Sequence, residues 1–256
     1  MKLSRQGFYK RKAPSPMKMD LTEEVIRSRN RCGNIGGRKL YHILRPSIPM
    51  GRDRFFSWLR ENGLLVLRKR RFVRTTDSNH GFGYAHNLLK GQCIAVPDQV
   101  WVSDITYLRT AEGFCYLALT MDLFSRKILG FDVNDTLEMI GAQRALKMAQ
   151  REAIRTRGTI HHSDRGSQYA SPRYIRMLKE KGMLSSMTRR GDCYENAAAE
   201  RLNGILKQEY GLGHTFESKE LALKAVRQAV ISYNNYRPHW ALDLKTPNQV
   251  YQQLNQ

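Results

Sequence analysis

Hydrophobic and polar positions divide this chain of 256 residues into a helical first part and a strand-rich remainder. Leu21, Val25 and Ile26 share one side of a short helix predicted to end near Arg31, with Thr22 placed to cap ahead of Glu23 and Glu24. After Gly33, Gly36 and Gly37, apolar residues recur at Leu40, Ile43 and Leu44 until Pro46 ends a second helix. Pro49-Met50-Gly51 makes a turn. A third helix from Arg52 to about Asn62 buries Phe55, Trp58 and Leu59 at i, i+3 and i+4, and Gly63 is its stop. Its opposite face offers Arg52, Arg54, Ser57 and Arg60.

The run Leu64 to Arg74 alternates loosely around Arg68-Lys69-Arg70-Arg71, which fits a strand or a linker that tracks phosphates; the stretch to Pro97 reads as a linker packed on the domain that succeeds it. From Gln99 the period changes to two. Val100 to Leu108, Phe114 to Asp122 and Lys127 to Val133 are predicted strands, and their short connections imply antiparallel neighbours. A helix over Glu138 to Arg155, a strand at Thr159 to His162, a helix over Pro172 to Lys181, a strand at Met183 to Met187 and a helix over Asn196 to Tyr210 come next. The order β-β-β-α-β-α-β-α is the ribonuclease-H-like pattern. The expected fold is therefore α/β: a mixed five-stranded sheet with flanking helices, preceded by a small all-α domain. The implied divisions are a basic flexible arm at 1–20, the three helices at 21–63, a basic linker at 64–97, the catalytic-type core at 98–212 and a helical extension at 213–256. In that extension a helix reaches Tyr236, Trp240, Leu242 and Leu244 offer apolar anchors, and a short helix begins after Thr246-Pro247.

Charge sharpens this picture. The chain carries a net charge of +20, with 21 Lys/Arg against 6 Asp/Glu in residues 1–97 and 22 against 17 afterwards. Such charge draws polyanions, because binding releases their condensed counterions. Nucleic-acid binding is thus expected mainly in the first third. Three short helices with a tight turn before a basic third one make a helix-turn-helix, although a plain bundle with a solvated basic face gives the same pattern. Lys69 and Arg70 are further candidate phosphate contacts. No apolar run reaches membrane-spanning length and no signal-peptide pattern opens the chain, so a cytoplasmic, nucleoid-associated protein is expected. The four cysteines form no Cys-x-x-Cys pair, and reduced thiols are expected. His80, His86 and Cys93 match no familiar metal spacing.

Three acids carry the candidate chemistry. Asp164 sits just past the fourth strand, Glu200 comes after it with 35 residues between them, and Asp104 lies within the first strand. Converging carboxylates repel one another unless a cation neutralises them, and hard oxygen ligands select Mg2+, with Mn2+ able to substitute. Two ions roughly 3.5–4 Å apart suit phosphodiester chemistry, with Asp104 bridging both. On the helix over Asn196 to Tyr210, Asn203, Gly204 and Lys207 fall within about 60° of Glu200, while Leu202, Ile205 and Leu206 lie opposite. Asn203, Lys207, Arg189 and Arg190 are therefore candidate DNA contacts beside the site, and Arg237 either touches DNA or locks the end of the chain. Ser163 and His162 point to opposite sides of a strand, which argues against a hydrolase dyad. No Gly-x-x-x-x-Gly-Lys loop is present.

Five stretches carry a resemblance: Trp58 to Leu64, Trp101 to Tyr107, His161 to Tyr169, Asn196 to Lys207, and Tyr233 to His239 with Thr246-Pro247. Together they resemble the integrase-core subunit, OrfB, of insertion-sequence transposases of the IS-three family, relatives of retroviral integrases. The resemblance implies a DDE enzyme in which Asp104, Asp164 and Glu200 match the catalytic acids, using Mg2+ to cut at element ends and join the 3′-hydroxyl to DNA. It also implies action as an oligomer on double-stranded DNA, with an upstream OrfA subunit or a frameshift fusion as partner. Two other readings remain open from the residues: a nuclease that cuts without joining, and a DNA-binding regulator without activity.

Overall fold

The computed structural model describes residues 16–66, 84–188 and 196–253. It divides into two compact units between Arg68 and Lys69. The first holds α1 (Pro16–Cys32), α2 (Gly37–Leu44) and α3 (Arg52–Glu61). Val25, Ile35, Leu40, Phe55 and Leu59 are fully buried in its one core, with Trp58 stacked on Phe55 at 6.1 Å. Asn62 closes α3 by donating its side-chain amide to the Trp58 carbonyl at 2.7 Å. Helix α1 begins five residues earlier than the periodicity predicts, so 16–20 are helical rather than part of an arm, and Thr22 lies inside the helix instead of capping it. Pro16 explains the early start: at the first helical position its missing N–H is no loss, and the turn it begins propagates from residues anchored in the core. The rest of the expected arm, residues 1–15, lies outside the described residues.

In the second unit a single sheet runs β3-β2-β1-β4-β5, made of β1 (Val100–Thr110), β2 (Gly113–Asp122), β3 (Ile128–Asn134), β4 (Ile160–Ser163) and β5 (Leu184–Met187). The first three strands are antiparallel neighbours, as their short turns require. β4 then pairs parallel with β1, and β5 parallel with β4. The two-residue β6 (Thr215–Phe216), which has no period to read, pairs with the far end of β1. One sheet face packs Val102, Leu117, Leu119 and Met121 under α7 (Ala197–Glu209) and α8 (Lys219–Tyr236). The other packs Trp101 and Leu129 under α4 (Met139–Glu152) and α6 (Pro172–Glu180), after the one-turn α5 (Ser167–Ala170).

Residues 213–253 build into this unit. Ala222, Val226 and Tyr233 of α8 belong to the same core as the sheet, and Tyr251 of α9 (Pro247–Gln252) belongs to the core on the other face. Asp98 explains the second attachment. It is buried, and its carboxylate accepts from Trp101 Nε1 (2.8 Å), the Ile154 N–H (2.9 Å) and the Tyr251 hydroxyl (2.9 Å). At the end of the expected linker, the Leu88 N–H donates to Ser186 Oγ at 2.9 Å.

Beneath the site lies a buried polar cluster in which His161 Nε2 is 2.9 Å from Ser103 Oγ and 3.0 Å from the Tyr174 hydroxyl. Burial, with His162 beside it, holds His161 down at about 3. The unfolded chain therefore takes up this proton first as pH falls, and stability is lost between about 6.5 and 3, at up to about 1.4 kcal/mol per pH unit. Asp104 shifts stability the opposite way over this range, so the test is a difference: in urea unfolding, His161→Gln should gain on the parent between pH 6.5 and 4.5, and a constant difference would remove His161 as a source of pH dependence.

Candidate active site

The site grows out of the parallel pairing of β1 and β4. Their register ends at Ser103 opposite Ser163. Asp104 and Asp164 are the next residues on the two chains, and a period of two puts them on the face of Val102, where α7 packs. β1 continues to Thr110 while β4 stops, so the two acids stand where one strand leaves and the other runs on. Asp164 Oδ1 accepts from the Gly166 N–H at 2.9 Å, which folds the chain back at that point. Arg165 steadies the same turn: its Nε donates to the Thr188 carbonyl at 2.7 Å, and its guanidinium lies 4.5 Å from the centre of the Tyr84 ring.

Helix α7 crosses above. Leu202, Ile205 and Leu206 are buried, as the helical period requires, and Glu200 lies on the exposed side. Asn203, one turn on, is buried and donates its Nδ2 to Asp104 Oδ2 at 2.7 Å. Asn196 at the head of the helix reaches the Ser103 carbonyl at 3.4 Å. Two amides thus tie α7 to the strand that carries Asp104.

Electrostatics links the three acids. Burial and then the charge of Asp164 push the Asp104 carboxyl up to about 8; Glu200 adds to the rise, and the Ile105 N–H and Asn203 oppose it. Asp104 therefore sits in a field of negative charge that a cation would relieve. Among the described residues, no three His, Cys, Asp or Glu side chains are gathered closely enough to hold an ion as they stand. The pairing of strands has brought Asp104 and Asp164 together; Glu200 acts on them through space from an exposed position.

Known proteins share this sequence and this architecture. The chain is 34% identical over 255 residues to the insertion element IS600 uncharacterized 31 kDa protein of Shigella sonnei, covering 96% of this chain and 93% of that one. It is 38% identical over 183 residues to the transposase InsF of insertion sequence IS3A of Escherichia coli, covering 71% of this chain and 64% of InsF. The chain belongs to the IS-three family of insertion-sequence transposases. Two integrase core domain models match it, over residues 95–193 and 181–247. Its fold is also that of a simian T-cell lymphotropic virus intasome chain, at a TM-score of 0.53 and 17% identity, covering 85% of this chain and 70% of that one. The transposase is thus a polynucleotidyl transferase on a ribonuclease-H-like integrase core.

The other expected site residues divide. Arg52, Arg54, Ser57 and Arg60 of the transposase are exposed on α3, opposite its buried stripe. The Arg52–Asp53 pair at 3.0 Å is too exposed to occupy that arginine. Lys69, Arg70, Arg189 and Arg190 lie outside the described residues. Lys207 is half-buried with Nζ 4.3 Å from the centre of the Tyr107 ring; burial lowers its pKa and Asp104 pulls it back up.

One expected DNA contact is corrected, and one residue left between two roles is decided. Asn203 is buried with its amide committed to Asp104, so it positions an acid rather than meeting DNA. Its place in the same helical sector as Glu200 was the signal available in the sequence. Arg237 is 1% exposed, and its guanidinium grips both Glu209 oxygens at 2.7 Å while one nitrogen lies 3.1 Å from the His239 ring. It locks α8 to the end of α7. Trp240 is corrected in the opposite sense: expected as an anchor, it is 57% exposed. Arg237→Ala should destabilise the transposase by about 3 kcal/mol, since it strands a half-buried carboxylate, and Arg237→Met with Glu209→Met should recover most of this. Urea unfolding of the two variants checks it, and an unchanged midpoint for Arg237→Ala would refute the lock.

Proposed function

We propose that Asp104, Asp164 and Glu200 are the catalytic acids with which this transposase cuts DNA at an element end and joins the freed 3′-hydroxyl to a second duplex. The observation that carries the reading is the meeting of Asp104 and Asp164 at the end of β4 under α7, with Asp104 held up at about 8 by burial first and by the charge of Asp164 next. The donor set suits divalent cations, all three being hard carboxylates. Mg2+, or Mn2+ in its place, as a pair of ions held by these oxygens, supplies charge neutralisation for the attacking and leaving oxygens. Asp104 must lose its proton before its oxygens can ligate, and Asn203 keeps Oδ2 aimed while it does.

In the cut, a water oxygen bonds to phosphorus and the 3′-oxygen leaves. In the joining step that 3′-oxygen attacks a target phosphorus and displaces another 3′-oxygen, so one ester is exchanged for another and no external energy source is needed. Lys207 is placed to meet a phosphate beside Glu200, and the exposed face of α3 to read element ends in the manner of a helix-turn-helix. Oligomers on duplex DNA, an OrfA subunit or fusion as partner, and a cytoplasmic, nucleoid-associated setting complete the reading. No described helix is long and apolar enough to cross a membrane.

Strand transfer of pre-cut element ends in Mg2+ tests it. The parent should join, and Glu200→Gln should lose joining by roughly a thousandfold or more. Joining that survives Glu200→Gln removes Glu200 from the site. Cleavage without joining by the parent would point to a nuclease, and binding alone to a regulator.

A further inference from the structure

Positive charge in the second unit is gathered on one side. Residues 139–182 hold ten Lys/Arg against three Asp/Glu, whereas 98–256 as a whole hold 22 against 17, so the rest of that span is slightly acidic. Apart from β4 in the sheet and the Asp164–Arg165 turn at the site, these residues form the α4 and α6 layer, on the sheet face opposite α7, and they hold nine Lys/Arg against two Asp/Glu. On α4, Lys147 and Arg151 are one turn apart and both exposed. Between the two helices lies a cleft of about 240 Å³ lined by Lys147, Gln150 and Arg151 from α4 and by Met177, Glu180 and Lys181 from α6 and its end.

Further cations reach the same end. The Arg155 to Arg157 loop lies against the turn after α6: Thr156 Oγ1 donates to the Lys181 carbonyl at 3.3 Å, and the Gly158 N–H to the Gly182 carbonyl at 2.8 Å. Of the acids in this stretch, Glu152 is paired with Lys127 at 2.6 Å, and Asp164 belongs to the site on the other face. That leaves Glu180 as the carboxylate in the cleft. Exposed like charges held together destabilise the folded chain by mutual repulsion, and a polyanion relieves it.

We propose that the α4–α6 face is a second duplex-DNA-binding surface, which grips phosphates at the cleft between Lys147, Arg151 and Lys181 and works independently of the acids on the opposite face. Its partner is recognised as a line of phosphates, without sequence readout, because lysine and exposed arginine offer charge rather than a groove-reading element. A second copy of this chain meeting it face to face is a poor occupant, since it would bring the same positive charge. The proposal shares with the catalytic reading only the expectation that DNA is the partner.

The test measures binding of the full chain to a random-sequence duplex without divalent metal, across a salt series. Lys147→Ala with Arg151→Ala should weaken binding roughly tenfold at moderate salt and lower the slope of log K against log salt by about two units. An equal charge loss on α8, Lys224→Ala with Arg227→Ala, should change affinity less than about twofold. Glu180→Gln should tighten binding by about threefold. All four positive side chains are exposed, so unchanged melting temperatures verify the fold. Equal losses for both pairs would reduce the effect to net charge and overturn the proposal, as would no loss for the cleft pair. A parent that binds through the cleft but joins no DNA would sink the catalytic reading alone, and a parent that joins DNA while the cleft pair shows no loss of binding would sink this surface alone.

Discussion

Asp104→Asn is expected to join no DNA and yet to be more stable than the parent in alkaline, metal-free buffer. The carboxyl of Asp104 is raised from an ordinary 3.8 to about 8 by burial, by Asp164 and by Glu200. A group whose folded value is raised contributes stability that is present at low pH and lost as pH rises through the folded value. The contribution of Asp104 to the stability of the metal-free parent should therefore be lost between about pH 4 and 8. Asparagine has the same shape, can still accept from Asn203, and carries no charge to desolvate. With solvent screening at a half-buried site, the gain at pH 8.5 should be on the order of 2–3 kcal/mol, vanishing near pH 4. Joining in Mg2+ should fall by roughly a thousandfold or more, because a neutral amide would not supply the negative oxygen that a divalent cation needs. Thermal melting in chelator at pH 4 and 8.5, alongside strand transfer in Mg2+, decides it. A variant that joins like the parent, or that gains nothing on the alkaline side, would show that Asp104 is not the strained acid of the site.

Gly130→Ala should prevent stable folding of the catalytic unit. Gly130 is in β3 where α4 crosses, and a Cβ there would stand 2.0 Å from the Ala145 carbonyl oxygen and 2.8 Å from the Ala149 nitrogen. Both are backbone atoms in the middle of a helix, so no side chain can swing aside. The helix must lift from the sheet, uncovering Leu129, Leu146 and Ala149. Overpacking usually destabilises by roughly 1–3 kcal/mol, and a clash with rigid backbone should exceed that range. Soluble yield and urea unfolding measure the effect. Near-parental stability would mean that α4 can shift over the sheet without penalty, which the packing of Ala145 and Ala149 denies.

Much of the site was legible before any tertiary structure. Asp164 after an apolar strand, and Glu200 opposite Leu202, Ile205 and Leu206 on a helix, are local patterns read from periodicity. Asp104 was the acid with least local support, because its place depends on β1 pairing with β4 rather than on its own neighbours; that pairing is parallel and in register through Ser103. Asn203 is misplaced among DNA contacts, and Arg237 left between two roles, for the same reason. A sequence gives a side chain's chemistry, but the partner that uses it, Glu209 or Asp104, is supplied by packing of distant elements.

By itself, then, the sequence determined the order of strands and helices, the helical sector shared by Glu200, Asn203 and Lys207, and the strong positive charge, since each depends on period or composition within a short stretch. Only the tertiary structure decided that 213–253 complete the core, that Lys147, Arg151 and Lys181 share one cleft, and that Asp104 is the acid under electrostatic stress. Burial and field at a point are set by every element that converges on it, and convergence is a property of the fold rather than of any stretch of chain.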